Sequence, residues 1–184
     1  MNWHIREAAR HIAGGGVIAY PTETVYGLGC DPFNGTAVLR LLELKQRNIE
    51  QGVILIASHF DQLEPLLLPV DKSVRKRILK SWPGPVSWTL PCQPETPYWL
   101  RGRHNSLAVR VTGHPVAAAL CNEWDGPLVS TSANIHGGHP ATGPLAVRKT
   151  FNGYLDYILH GTANMSGKPS VIRDAISGRT VRGH

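Results

Sequence analysis

The sequence predicts an α/β fold in which helices flank a mixed sheet of parallel and antiparallel strands. Short apolar runs of strand length alternate with segments of helical period along the chain. Gly and Pro clusters punctuate the boundaries between them. Shorter strands crowd the C-terminal part, which fits a mixed sheet better than a purely parallel one.

From Asn2 to Ala13 the apolar positions Trp3, Ile5, Ala8, Ala9 and Ile12 recur at helical spacing, and Gly14-Gly15-Gly16 ends that helix. Val17 to Tyr20 reads as a strand stopped by Pro21, and Thr22 to Gly29 as a polar, glycine-bearing loop. Leu39, Leu41, Leu42 and Leu44 mark a helix from about Gly35 to Lys45, and Val53 to Ala57 a second strand. A basic helix over Val70 to Ser81 halts before Trp82-Pro83-Gly84-Pro85, and strands follow over Val86 to Leu90 and Leu107 to Val111. Val116 to Leu120 predicts a helix, and Leu128 to Thr131 a strand that opens into a loop from Ser132 to Gly143. Tyr154 to Leu159, Ser170 to Ile172 and Thr180 to Arg182 read as short late strands. No repeat, low-complexity tract or linker interrupts the 184 residues, so one domain over 1–184 is expected.

Composition narrows the class of protein. No apolar run approaches the roughly 20 residues of a membrane helix, and Met1 to Arg10 lacks the pattern of a secretory signal. A soluble, cytoplasmic protein without a membrane partner is expected. Cys30, Cys92 and Cys121 are odd in number and widely spaced, which argues against a disulfide framework and a structural zinc site. The 19 Lys and Arg against 13 Asp and Glu give a net charge of +6, which attracts phosphate-bearing partners such as nucleotides or RNA.

Four segments place small hydroxyl, amide or cationic residues where a short apolar strand enters a loop. They are Pro21 to Gly29, Lys45-Gln46-Arg47, Ser106 to Arg110 and Ser130 to Asn134. Ligands of open α/β sheets bind outside the carboxyl ends of the strands, so the four segments together predict one polar pocket. Lys45 and Arg47 suit a polyphosphate if the chain straightens after the helix; the alternative is a pair of cations at a helix C-terminus. Ser132 and Asn134 offer a hydroxyl and an amide on one side of the chain, or else form a turn or cap. Thr22 and Thr24 flank Glu23 ahead of Gly27 and Gly29, which fits a small polar ligand or a local turn. Arg110 shares a strand face with Ala108 and requires an anion, either a protein carboxylate or a ligand carboxylate.

Standard nucleotide and hydrolase signatures are absent. There is no G-x-x-x-x-G-K-[ST] loop, no G-x-G-x-x-G after the first strand and no G-x-S-x-G elbow. His136 and His139 share a loop without a Cys or carboxylate at metal-ligand spacing, so no metal site is assigned to the protein.

In this order, Pro21 to Gly29, Lys45-x-Arg47, Trp82-Pro-Gly-Pro85, Ser106-Leu-Ala-Val-Arg110-Val and Ser130-Thr-Ser-Ala-Asn134 resemble the YrdC-like threonylcarbamoyl-AMP synthases in their short, single-domain bacterial form. Pro169 to Asp174 and Arg182-Gly183 resemble the family's late segments, so the likeness runs nearly end to end. The resemblance implies a YrdC-like fold, with a twisted mixed sheet forming a concave, positively lined cavity. It also implies an ATP-dependent reaction of L-threonine with bicarbonate that yields threonylcarbamoyl-AMP and pyrophosphate for tRNA modification. Magnesium accompanies the triphosphate, and tRNA and threonylcarbamoyl transferase proteins are the implied partners.

Carried over by position, Lys45, Arg47, Ser132 and Asn134 match the residues that face the ATP phosphates and carry catalysis. Ser106 and Arg182 match further ATP contacts, while Thr24, Arg110, Ser130 and Ser170 match positions that hold threonine. The chain departs from the family at Asn48, where proline is usual, and at Gln51, where many members have a lysine. Ile56 stands where longer relatives have a histidine. The competing expectation from charge alone is a non-catalytic factor that binds tRNA or double-stranded RNA.

Overall fold

The computed structural model describes residues 2–135, 137–163 and 170–183. His136 and Pro169, both singled out above, lie outside the described residues. In chain order the elements are α1 (Asn2–Ala13), β1 (Ile18–Pro21), β2 (Tyr26–Gly29), α2 (Gly35–Leu44), β3 (Ile54–Ala57), α3 (Lys72–Leu79), β4 (Ser87–Pro91), α4 (Tyr98–Arg101), β5 (Ser106–Val111), α5 (Pro115–Trp124), β6 (Leu128–Ser132), α6 (Pro144–Phe151), β7 (Tyr157–Ile158), β8 (Ile172–Asp174) and β9 (Thr180–Arg182). Short 3-10 turns occupy Ile49–Gln51, Phe60–Gln62 and Glu64–Leu66.

The described strands form one mixed sheet in the order β7-β1-β2-β6-β3-β5-β4-β8-β9. β3 runs parallel to β5, β1 to β7 and β4 to β8, and the other neighbours are antiparallel. Successive side chains of a strand point to opposite faces. Leu55 and Ala57 of β3, Leu107, Val109 and Val111 of β5 and Val129 of β6 therefore meet on one face. They form the larger core with Val38 and Leu41 of α2, Val74 and Ile78 of α3 and Val147 and Phe151 of α6. The opposite face is only partly roofed. Ile5, Ala8 and Ile12 of α1 and Ala117, Leu120 and Cys121 of α5 pack there on Ile18, Tyr20, Ile56 and Leu128.

Helix ends follow local chemistry. The Asn34 side chain accepts from the Ala37 N–H at 3.1 Å and caps α2. The His114 ring accepts from the Ala117 N–H at 3.4 Å, and Pro115 occupies the first position of α5, where a missing N–H costs nothing.

The structure corrects the expectation of a loop over Thr22 to Gly29, because its second half is strand β2. Gly27 and Gly29 are in strand register with Tyr20 and Ile18 of β1. Their missing side chains make room for the Tyr20 ring, whose hydroxyl crosses β2 and donates to the Val129 carbonyl at 3.1 Å. A Cβ on Gly29 would stand 2.2 Å from that carbonyl oxygen and 2.8 Å from Tyr20 Cε1. Two helices also escaped the sequence reading. α4 is a single four-residue turn, too short to display a period. α6 does carry a readable signal, with Pro144 at its start and Val147 and Phe151 one turn apart on its buried side. Pro21 closes β1 from within by pairing with Tyr26, a strand-end position that tolerates the absent N–H.

Gly29→Ala is expected to lower the melting temperature by roughly 5–10 °C in a calorimetric scan, the scale of an overpacked core position. An unchanged melting temperature would show that both the Tyr20 ring and the Val129 backbone can move away from β2.

Candidate active site

The unroofed part of the second sheet face is the site. Ile56 and Leu128 pair in register beneath α5, while one step along the same strands Ile54 pairs with Ser130 and with Ala108. Beyond the edge of the helix layer these residues, with Arg110 and Ser132, floor a cavity of about 520 Å³. The site therefore lies on the face of the sheet, and the expectation of a pocket outside the carboxyl ends of the strands is corrected. Antiparallel β2 and β6 turn opposite strand ends toward the same space, so no single carboxyl edge exists there.

Thr24, Arg47 and Arg110 line this cavity together with Ser130, Ser132 and Asn134. Ser170 and Arg182 close it from the C-terminal segment. Ser106 instead lines an adjoining lobe of about 710 Å³, which shares Arg47, Gln51, Ala108 and Arg182 with the first. The two lobes form one continuous hollow.

Lys45 is the exception. Its backbone caps α2, and Gln46, between it and Arg47, is left-handed with φ 52°. Arg47 lines the cavity, whereas Lys45 is not among its lining residues. The Lys45 ammonium is buried behind the cavity, donating to the carbonyls of Ser132 at 2.5 Å and Asn134 at 2.7 Å. Burial, reinforced by the positive charges of Arg47 and Arg182, pushes its pKa down to about 8. It thus ties α2 to the end of β6 and fixes the backbone that presents Ser132 and Asn134.

That pair is also bonded internally. The Ser132 hydroxyl donates to Asn134 Oδ1 at 2.6 Å, and Asn134 Nδ2 donates to the carbonyls of Ile135 and Gly138, each at 3.0 Å. Asn134 therefore shapes the loop, and Ser132 can serve a new acceptor by rotating one bond.

The guanidinium groups are less satisfied. Arg47 donates to the Gly52 carbonyl at 2.9 Å, yet its buried Nε has no hydrogen-bond partner. Burial and the nearby Arg182 push its pKa down, although an arginine remains charged at any physiological pH. Arg110, buried on its strand, lies 3.5 Å from the Glu23 carboxylate, and its Nε is likewise unpartnered. A protein carboxylate is thus present beside Arg110, in an ion pair too loose to meet its hydrogen-bonding capacity.

Several cavity residues were not singled out from sequence. Glu23, which the sequence marks only as the residue between two threonines, lies beside the cavity without lining it. Thr142 lines the cavity from the loop after β6, as does His139, weighed above only as a metal ligand, and Tyr26 lines it from β2. The Tyr26 hydroxyl donates to the Gly161 carbonyl at 2.7 Å and holds the returning chain against the site. No periodicity marks these residues; only the motif order around them could have drawn attention to them. Among the described residues no group of three or more His, Cys, Asp or Glu side chains is arranged to hold a metal ion.

A family model described as Telomere recombination, the Sua5–YciO–YrdC model, matches residues 10–182. The chain belongs to the Sua5–YciO–YrdC family. It is 54% identical over 181 residues to a threonylcarbamoyl-AMP synthase of Nitrosococcus oceani, covering 98% of each chain. It is 48% identical to the corresponding synthase of Coxiella burnetii, covering 97% of this chain and 96% of the other. Among solved structures, P. abyssi Sua5 complexed with L-threonine superposes with a TM-score of 0.89 at 33% identity. The match covers 95% of this chain and 51% of the Sua5 chain, about half its length. E. coli YciO, at 24% identity and a TM-score of 0.84 over 97% of this chain and 88% of the other, has the same fold. Membership of the family agrees with the mixed sheet and flanking helices seen here. Among the described residues no helix is long and apolar enough to cross a membrane.

The depressed Lys45 pKa has a measurable sign. Between about 8 and the ordinary 10.5 the unfolded chain holds the proton that the folded chain has lost. This group's contribution to stability is therefore present above 10.5 and lost as pH falls through about 8. An anion in the cavity favours the charged lysine, so affinity for sulfate, which does not itself titrate in this range, should fall as pH rises through about 8. Calorimetric titration across that range should also show proton uptake on binding. A pH-independent affinity, or proton release, would contradict the assignment of a depressed pKa to Lys45.

Proposed function

We propose that the protein is a threonylcarbamoyl-AMP synthase, converting L-threonine, bicarbonate and ATP to L-threonylcarbamoyladenylate, pyrophosphate and water. The observation that carries this reading is a buried arginine, Arg110, and a half-buried one, Arg47, at one cavity, each with a buried, unpartnered Nε, among hydroxyl side chains. Buried cations of this kind favour anionic ligands, and the reaction supplies two: a polyphosphate and an amino-acid carboxylate. The names of relatives that match this chain almost end to end support the same reaction. The acting unit is a single domain spanning 1–184, working in the cytoplasm.

In this reading Arg47 and Arg182 face the phosphates from the shared wall of the two lobes, with Ser132 turned to donate. Lys45 and Asn134 hold the loop that presents Ser132, and Lys45 adds its charge from behind. Ser106 contacts the nucleotide in the second lobe. Arg110 receives the threonine carboxylate, and Thr24, Ser130 and Ser170 provide polar contacts around the remainder of the amino acid.

The threonine amine adds to carbon dioxide derived from bicarbonate, forming a carbamate. A carbamate oxygen then attacks the α-phosphorus of ATP, and the bond to the bridging oxygen breaks as pyrophosphate leaves. Such a displacement depends on alignment and charge neutralisation rather than a protein nucleophile. A cavity of cations and hydroxyls meets that demand. Magnesium enters with the triphosphate as part of the substrate. The activated threonylcarbamoyl group then passes through threonylcarbamoyl transferase proteins to tRNA. A non-catalytic RNA-binding factor is not favoured, because a duplex backbone has no use for a buried arginine, Arg110, at the floor of a small hollow.

Arg47→Ala and Lys45→Ala should each reduce threonine-dependent pyrophosphate release by about a hundredfold or more, the scale of a lost transition-state cation. Arg47→Ala should keep the wild-type melting temperature within about 2 °C, whereas Lys45→Ala should lower it because the loop after β6 loses its tie. Pyrophosphate release near the wild-type rate in both variants would overturn the proposal. Incubation with ATP, magnesium and labelled bicarbonate should yield a labelled carbamoyl adenylate with threonine, and one that forms equally well without an amino acid would also refute it.

A further inference from the structure

Glu23 stands directly behind Arg110, and neither the family's motif reading nor the cavity lining gives it a role. Its carboxylate is held at a fixed point: Oε1 accepts from the Thr112 hydroxyl at 2.8 Å and from the Gly113 N–H at 2.9 Å. Thr112 Oγ1 in turn accepts from the His114 N–H at 3.2 Å, and His114 is the buried residue that caps α5. A chain of hydrogen bonds thus runs from the start of α5, through Thr112, to Glu23. The other oxygen, Oε2, is buried without a hydrogen-bond partner and lies 3.5 Å from Arg110 NH2. Arg110 lines the cavity, whereas Glu23 does not.

An arginine that must receive a ligand carboxylate needs its guanidinium plane fixed before the ligand arrives, since its side chain otherwise retains much rotamer freedom. It also needs unspent donors. A carboxylate bonded in two places on its far oxygen, and held just outside hydrogen-bond distance on its near one, meets both conditions. It fixes one edge of the guanidinium electrostatically and leaves the remaining N–H groups for the ligand.

We propose that Glu23 is a positioning residue for threonine recognition, orienting Arg110 toward the substrate carboxylate while itself anchored through Thr112 and Gly113 to the start of α5. This role rests on the threonine-binding assignment of Arg110 proposed above. Replacing Glu23 by glutamine removes the charge. It also either sets an amide N–H against the guanidinium, or turns the amide oxygen to Arg110 and sets the N–H against the donating Gly113 N–H, so that Arg110 loses its acceptor in one arrangement and the side chain loses its anchor in the other.

The test is steady-state pyrophosphate release by the full chain, with threonine and ATP varied separately. Glu23→Gln should raise the KM for threonine roughly tenfold, the scale of one impaired charge-assisted contact, and leave the KM for ATP within about twofold of wild type. Glu23→Asp, which keeps the charge, should recover part of the threonine affinity. If Glu23→Gln does not fold, Thr112→Val, which removes one anchor of the carboxylate and retains its charge, should shift the threonine KM in the same direction. A threonine KM that is unchanged or lowered, or one that rises in step with the KM for ATP, overturns the positioning role. Wild-type protein without threonine-dependent release would sink the proposed function and this role with it; active wild-type protein with a Glu23-independent threonine KM sinks only the role.

Discussion

The two-residue period of β3, β5 and β6 is the constraint on which the architecture turns. On one face it gathers Leu55, Val109 and Val129, which close the larger core against α2, α3 and α6. On the other it places apolar Ile56 and Leu128 under α5 and, a pleat further along, Ser130 beside Ile54, with Ala108 and Arg110 on β5. A helix layer covers only what is apolar enough to bury. The polar remainder stays open, and that remainder is the site. Core and cavity are thus two outcomes of one pattern.

Burial without full pairing gives the cavity its chemical character. Lys45 and Arg110 are buried and Arg47 is half-buried, and their positive charges are answered by backbone carbonyls and by the loosely paired carboxylate of Glu23. Withdrawing a cation from water costs free energy that a weakly paired protein environment does not return. An incoming anion recovers part of that cost, so the stability given up by the empty protein reappears as affinity for ligand. The same balance explains the lowered pKa of Lys45: burial disfavours its proton, and the neighbouring arginines disfavour it further.

Glycine placement has a comparable logic on β2. Tyr20 spans from β1 over β2 to the Val129 carbonyl of β6, and only side-chain-free positions at 27 and 29 let its ring lie there. The same openness keeps Gly27 low at the cavity wall. Near the second lobe, Gly52 and Gly102 adopt positive φ, and each brings its backbone into close contact with the carbonyls of the facing segment. In both places a missing side chain decides how closely two segments approach.

The sequence by itself determined the kind of fold and pointed to most of the polar residues that line the cavity. Apolar periodicity marked α1, α2, β3 and β5 because burial on a regular element leaves a regular trace. The ordered motifs from Thr24 to Arg182 named most of the residues that surround the hollow. Local pattern could not reveal that Thr22 to Gly29 is half strand, since two glycines that look like loop residues are explained by a tyrosine on the neighbouring strand. Nor could it separate Lys45 from Arg47: their spacing is the same whether both line a cavity or only one does, and only the folded chain puts Arg47 on the cavity wall and the Lys45 ammonium on the carbonyls of Ser132 and Asn134. The pairing of Arg110 with Glu23, far apart along the chain, likewise arose only from folding. Short-range order is written in the periods of the chain; which charge faces which depends on contacts between distant segments, and these exist only once the sheet has closed.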